Sequence, residues 1–217
     1  MMSPTTSQGR KLGSEADPIR QGLFASGPMN VFAQRLKLDG NPGPFHTFVE
    51  AVELADSGKK EEAKARLRNV LSLPNLETRV TLRVWSALRE LGEDPDAKSA
   101  KEVMGVVVEV PMRGSYDTLA AYQDGSARYL NFSGAGIFWD TRDEAVTTLC
   151  RRFIASSVSV GAQVKPRTGV SLPKQGAQLT LLTRSGPYAV AEIPPTVMKP
   201  ASALMVELMR RAEQAKK

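Results

Sequence analysis

Residues 105–140, GVVVEVPMRGSYDTLAAYQDGSARYLNFSGAGIFWD, decide the fold of this chain. The first segment is rich in valine, a β-branched residue that loses side-chain freedom in a helix and packs well on a pleated sheet. Turn sequences at Gly114-Ser115, Asp124-Gly125 and Ser133-Gly134 divide the stretch into four short segments. The pattern predicts four antiparallel strands joined in chain order, a β-meander.

The remainder of the second half adds helices and a hairpin to this meander. Apolar residues recur at helical spacing after Asp143, which suits a helix N-terminus. Two short apolar segments at 178–183 and 188–193 flank an R-S-G-P turn and predict a β-hairpin. A last helical pattern starts near residue 201. Residues 101–217 are therefore predicted to form an α+β domain: a four-strand meander, a helix, a hairpin and a C-terminal helix.

The region before the meander has a helical period instead. Residues 44–100 carry three amphipathic segments, separated at Gly58 and Pro74 and closed by Gly92, and predict a three-helix subdomain. The turn GKKEEA at 58–63 resembles that of tetratricopeptide (TPR-like) hairpins, although the full repeat signature is absent. Residues 1–43 are rich in Ser, Thr, Gly and Pro, and we predict a disordered or loosely attached segment and linker.

One sequence pattern spans the meander. It consists of DTLAAY at 117–122 and DGSARY at 124–129, followed by Asn131, Ser133-Gly134 and Trp139. This pattern resembles that of an uncharacterised bacterial protein family of unknown function. The hairpin at 179–188 is similar to part of the same pattern, so the resemblance covers residue 88 onward. It implies a bacterial source and a shared fold, and it carries no activity, cofactor or site residue.

Composition narrows the possible classes of protein. The 217 residues are 41% hydrophobic and 24% charged, which is typical of globular proteins. No run approaches the roughly 18 apolar residues of a membrane span. The N-terminus lacks a signal-peptide core, so we expect a cytoplasmic protein. One cysteine and one histidine leave no internal disulfide and no Cys-cluster or His-pair metal site, and we expect neither a metal nor a cofactor.

The net charge of +6 raises one alternative function. Basic helix faces attract the phosphates of nucleic acids, although a surplus of this size is more often a solvated surface. A nucleic-acid-binding accessory protein would use a basic face in the helical subdomain. Its candidate residues are Arg66, Arg68, Arg79, Arg83 and Arg89.

An enzyme is the third alternative, and no catalytic residue is identified for it. Cys150 lies on the apolar stripe of its helix, as a buried structural thiol does, and His46 lies at a helix start. A carboxylate-based site remains open. The carboxylates in or near the sheet are Glu109, Asp117, Asp124, Asp140 and Glu192. Strand alternation places Glu109 on the solvent side of its strand.

The leading hypothesis is a non-enzymatic protein-interaction or adaptor module that binds another protein. The pattern leaves the identity of that partner and the oligomeric state open. Tyr, Trp and Arg commonly anchor interfaces. The tentative binding residues are Arg128, Tyr129, Asn131, Tyr122 and Trp139. Alternation in the third strand buries Leu130 and Phe132 and places Arg128 at the rim, so Arg128→Ala is expected to be nearly neutral and Tyr129→Ala destabilising.

Overall fold

The computed structural model describes residues 18–39, 44–140, 143–161, 171–190 and 193–215. This part of the chain contains seven helices and one six-stranded antiparallel sheet, so the predicted α+β class is confirmed. The helices are α1 (Pro18–Leu23), α2 (Met29–Asp39), α3 (Pro44–Asp56), α4 (Lys60–Leu71), α5 (Thr78–Glu90), α6 (Glu144–Gly161) and α7 (Pro195–Gln214). The strands are β1 (Val103–Met112), β2 (Ser115–Tyr122), β3 (Ala127–Leu130), β4 (Gly136–Trp139), β5 (Gln178–Thr183) and β6 (Gly186–Val190).

The chain divides into two compact units. The sheet unit contains the described residues of 1–24, of 103–183 and of 187–217. The helical unit contains the described residues of 25–102 together with residues 184–186. Each unit has a hydrophobic core of its own.

The sheet contains the predicted meander intact. Its strands are ordered β4-β3-β2-β1-β5-β6, so the first four neighbours follow the chain and the β5–β6 hairpin joins at β1. The register places Glu109 of β1 opposite Thr118 of β2 and opposite Gln178 of β5. Two residues further along the same side of the sheet, Ala120 of β2 lies opposite Arg128 of β3.

The two sides of the sheet differ in what they carry. We call the side that contacts α6 and α7 the helix face, and the opposite side the second face. Side chains of the helix face form the main core with both helices, because valine, leucine and alanine alternate there with the residues of the other side. The buried strand residues of the helix face include Val106, Val108, Leu119, Ala121, Ala127, Leu179 and Leu181.

The helical unit contains the three predicted helices as α3, α4 and α5, joined by short turns. Gly58 has φ of +83°, the left-handed conformation that a glycine at the end of a helix adopts readily. Apolar side chains from the three helices pack together in its core with those of α2. The fully or nearly fully buried ones include Phe48, Leu67, Val70, Val84 and Leu88. Its similarity to TPR hairpins stays a prediction.

The expectation of a loosely attached segment over residues 1–43 does not describe residues 18–39. These residues form α1 and α2, and Met29, Ala33 and Leu36 of α2 are buried in the helical core. Their spacing of four and three residues is that of one helix face, a signal that the surrounding Gly, Pro and Ser obscure. Residues 1–17 and 40–43 of that expectation lie outside the described part of the chain.

The helices are also informative about membranes. Among the helices described, none is both long enough and apolar enough to cross a bilayer.

Candidate functional site

The five predicted binding residues do not share one surface. Strand alternation and register place Tyr129 and Trp139 on the helix face, where both contact the core with α6 and α7. Arg128 and Tyr122 occupy the second face. Asn131 follows the last residue of β3. These residues therefore do not form one continuous surface.

Arg128 is buried, not at the rim as predicted. Its side chain is only 3% exposed. The guanidinium donates through Nη1 to the carbonyl oxygens of Ala127 at 2.8 Å and Trp139 at 3.0 Å, and through Nη2 to a carboxylate oxygen of Asp140. It also lies 5.6 Å from the ring centre of Phe138. Arg128 thereby ties the edge strand β4 to β3, which alternation alone could not reveal.

Tyr122 and Trp139 belong to the interior as well. Tyr122 is fully buried, and its hydroxyl donates to the carbonyl oxygen of Leu23 at 2.8 Å. The indole of Trp139 is 9% exposed, with the guanidinium of Arg211 5.7 Å from its ring centre. Neither ring is presented to solvent.

Tyr129 and Asn131 serve local structure. Tyr129 is half-buried against the main core, and its hydroxyl lies 3.4 Å from Asp117 Oδ2. Burial, followed by the charge of Asp117, raises the pKa of the Tyr129 phenol. Asn131 Oδ1 accepts hydrogen bonds from the backbone N–H groups of Ser133 at 3.1 Å and Ala135 at 3.0 Å. The amide thereby closes the β3–β4 turn.

The predicted basic face is largely engaged within the helical unit. Arg68 makes two hydrogen bonds to Glu93, at 2.8 and 2.6 Å. Arg83 is buried and donates to the carbonyl oxygens of residues 26–28, and its loss of hydration lowers its pKa to about 10. Arg79 pairs with Glu77, Arg89 donates to the carbonyl oxygen of Arg184, and the exposed Arg66 lines an open groove of about 330 Å³ with Glu50 and Glu53.

Glu109 lies on the predicted side of its strand but is buried instead of exposed to solvent. Strand alternation correctly predicts that its side chain lies on the second face. The second face is buried at this position, and Glu109 is only 1% exposed. Arg20 of α1 donates to it twice, Nε to Oε1 at 2.7 Å and Nη2 to Oε2 at 2.8 Å. A buried carboxylate is tolerated when a cation neutralises it in this way. The strand sequence alone could not predict this burial, because the neutralising residue is 89 positions away in the chain.

The other predicted carboxylates have separate partners. Asp117 accepts from the backbone N–H of Phe132 at 2.7 Å, and Asp124 accepts from the backbone N–H of Ser126 at 2.9 Å. Asp140 pairs with Arg128, and Glu192 lies outside the described residues. Among the residues described, no three His, Cys, Asp or Glu side chains are grouped as a metal site would need.

Cys150 is a buried thiol, as its place on the apolar stripe predicts. Its S–H lies 3.6 Å from the carbonyl oxygen of Gly125. Burial, followed by the charge of Asp124, raises the thiol pKa to about 12 from an ordinary 9.0. We expect an aromatic disulfide reagent at pH 8 to modify the folded protein at least a thousandfold (~10³) more slowly than the urea-unfolded protein, because the thiolate reacts. Equal rates would contradict this environment.

Three aromatic side chains outside the predicted binding residues are partly exposed: Tyr116 and Phe138 on the second face, and Phe132 in the turn after β3. We call Tyr116, Phe132 and Phe138 the aromatic strip. Phe132 was expected to be buried, but it is 39% exposed, whereas Leu130 beside it is 3% exposed. Tyr116 and Phe138 are half-buried. The signal in the sequence is the position of Phe132 in the Asn-Phe-Ser-Gly turn, where an aromatic residue has no strand neighbour to cover it.

These three residues lie on neighbouring parts of the meander: Tyr116 is near the start of β2, Phe132 follows β3, and Phe138 of β4 lies opposite Arg128. Phe132 donates its backbone N–H to Asp117, the residue next to Tyr116. Phe138 lies close to Leu130 across Gly136, since a Cβ added at that glycine would overlap both side chains. Buried Arg128 lies near the ring of Phe138 and fixes the edge strand that carries it. Hydrogen bonds from Arg128 and to Asp117 therefore fix the backbone that carries Phe138 and Phe132.

Comparison with known proteins finds no matching family model, no matching curated protein and no matching solved structure.

Proposed function

We propose that this chain is a non-enzymatic protein-interaction module that binds a partner protein through the aromatic strip. The observation that carries the proposal is the partial exposure of Tyr116, Phe132 and Phe138 along neighbouring strands and the turn of the meander. Aromatic residues are enriched at protein interfaces because a large rigid ring buries much apolar area at little cost in conformational entropy. The bacterial and cytoplasmic setting is part of the same proposal and rests on the sequence features above.

The support beneath the aromatic strip favours recognition over catalysis. An interface anchor works best when its position is fixed before binding, because less freedom is then lost. Arg128 holds β4 through two backbone carbonyl groups and Asp140, and the side chain of Asp117 accepts from the backbone of Phe132. Among the residues described, Glu109, Asp117, Asp124 and Asp140 have separate protein partners, which gives the carboxylate-enzyme alternative no added support.

The nucleic-acid alternative gains no support from the arginines either. Arg68 and Arg83, two of the five predicted residues, already donate to groups of the helical unit. An arginine that must leave such partners to reach a phosphate binds that phosphate less favourably.

Loss of the exposed ring should weaken association without unfolding the protein. We expect Phe132→Ser to reduce affinity for the partner at least tenfold, since anchor residues are worth more than about 1.4 kcal/mol. Met112→Ser is the matched control, because Met112 is 42% exposed and strand parity places it on the helix face. Recovery of partners from native-host extract by parent and variant proteins identifies the candidate, and titration with the purified partner gives the dissociation constants. The same loss in both variants, or in neither, would contradict the aromatic strip as the interface.

A further inference from the structure

We propose that the second face also holds a binding site for a guanidinium group, which Arg20 fills within the chain and an arginine of a protein partner fills when α1 detaches. The site consists of Glu109, Thr118 and Thr180, which we call the polar layer. The polar layer lies on strands β1, β2 and β5, and its residues are distinct from those of the aromatic strip. Its test therefore stands or falls separately from the function proposed above.

The geometry at Glu109 selects the chemistry of the ligand. Arg20 meets both carboxylate oxygens, with Nε to Oε1 at 2.7 Å and Nη2 to Oε2 at 2.8 Å. The side chains of the pair are 5% and 1% exposed. Two parallel N–H donors match the planar guanidinium, whereas an ammonium group offers a point charge without this fork. The site is therefore specific for arginine over lysine.

Two buried hydroxyls extend the site beyond what Arg20 uses. Thr118 lies directly opposite Glu109 in the sheet register, and Thr180 lies opposite Val107, the next residue of β1 on the same face. Both threonines are fully buried. Within the described part of the chain, neither Oγ1 atom has a hydrogen-bond partner. Buried hydroxyls usually have partners, because an unpaired one costs stability.

A guanidinium offers enough donors for the whole layer. It carries five N–H groups, and a carboxylate engages two of them. A partner arginine that approaches from a direction other than that of α1 has donors left for the hydroxyls of Thr118 or Thr180. This arrangement gives an incoming arginine contacts that compensate for those lost with Arg20.

Exchange of one arginine for another keeps the buried charge paired. Detachment of α1 alone would leave the Glu109 carboxylate buried without its cation, which is strongly unfavourable. A replacement guanidinium removes that penalty. The helix α1 has six residues, and such a short helix is not stable without its docking contacts. Further contacts of α1 include the hydrogen bond from the Tyr122 hydroxyl to the carbonyl oxygen of Leu23 and the burial of the Leu23 side chain.

The test uses the full chain and a peptide copy of α1. The probe is a fluorescent, end-blocked peptide of residues 18–24, PIRQGLF, with versions in which its arginine is lysine or alanine. We expect the Arg20→Ala protein to bind the arginine peptide at least tenfold more tightly than the lysine peptide, with no binding of the alanine peptide. The parent should bind the arginine peptide at least tenfold more weakly than the variant, because tethered Arg20 competes at high effective concentration. Addition of Glu109→Gln to the variant should abolish binding.

A folded Arg20→Ala protein that binds all three peptides equally, or none, would overturn the proposal. If the Arg20→Ala variant does not fold, hydrogen exchange on the parent protein tests the proposal instead. Millimolar arginine peptide should accelerate amide exchange in α1, and the lysine peptide should not. Unchanged exchange in α1 at the highest arginine-peptide concentration would equally overturn the proposal.

Discussion

Replacement of Arg20 with alanine is expected to lower the free energy of unfolding by about 3–5 kcal/mol, because it leaves the Glu109 carboxylate buried and unpaired. For a protein of this size, each kcal/mol corresponds to a fall of about 2–4 °C in melting temperature. Urea unfolding monitored by circular dichroism measures the change directly. Glu109→Gln should be similarly destabilising, since it leaves the Arg20 guanidinium without its counter-ion.

Replacing both residues distinguishes the energy of the ion pair from the cost of leaving one charge buried without its partner. An Arg20→Met, Glu109→Leu protein should be more stable than either of its own single variants, Arg20→Met or Glu109→Leu, because no buried charge remains unpaired. The control is Lys37→Ala in the exposed pair with Glu53, whose loss should leave the melting temperature nearly unchanged. Additive effects of the two single changes would contradict the coupling inferred from the bidentate contact.

Arg128→Ala is expected to lower the free energy of unfolding by about 2–3 kcal/mol, because it leaves buried carbonyl oxygens without their donor. The sequence-based expectation was a nearly neutral change. Arg151→Ala is the matched control, since Arg151 is exposed on α6 and should tolerate truncation. Thermal melts of both variants make the comparison. Equal melting temperatures for Arg128→Ala and the parent would show that the bonds to β4 contribute little.

The sequence predicted the meander well because its signals are local. Turn residues such as Asp124-Gly125 act within four residues, and Gly125 adopts the positive φ of +85° that such a turn requires. The period-two and period-3.6 patterns likewise depend on neighbours along the chain. The α+β class follows from these patterns together with the order of the elements.

The burial of Glu109 on the second face could not be predicted in the same way. Strand alternation indicates which residues share a side of the sheet. It correctly placed Glu109 on the side opposite its sequence neighbours Val108 and Val110. It does not show whether that side is buried, and the side chain that neutralises Glu109 belongs to Arg20, 89 residues earlier in the sequence. The charge of Glu109 therefore predicted exposure to solvent, whereas its side chain is buried in an ion pair with Arg20.

The burial of Arg128 and Trp139 could not be predicted for a related reason. Arg128 and Trp139 are residue types that anchor interfaces, but the same types also fill interiors when they find hydrogen-bond or ring partners. Backbone carbonyl oxygens of Ala127 and Trp139 supply those partners to Arg128. Such contacts depend on how the strands pair in three dimensions. Side-chain type alone therefore did not distinguish a buried structural arginine from an exposed interface residue.

Site-specific photo-crosslinking tests the central claim most directly. A photoreactive phenylalanine analogue placed at Phe132 probes the aromatic strip, and the same analogue at the exposed Met112 or Val206 probes other surfaces of the sheet unit. Irradiation of native-host cells that express each protein, followed by mass spectrometry, identifies the adducts. The proposed function predicts one partner protein crosslinked at position 132 and absent at positions 112 and 206. The same adduct from all three positions, or adducts at 112 and 206 alone, would contradict binding through the aromatic strip.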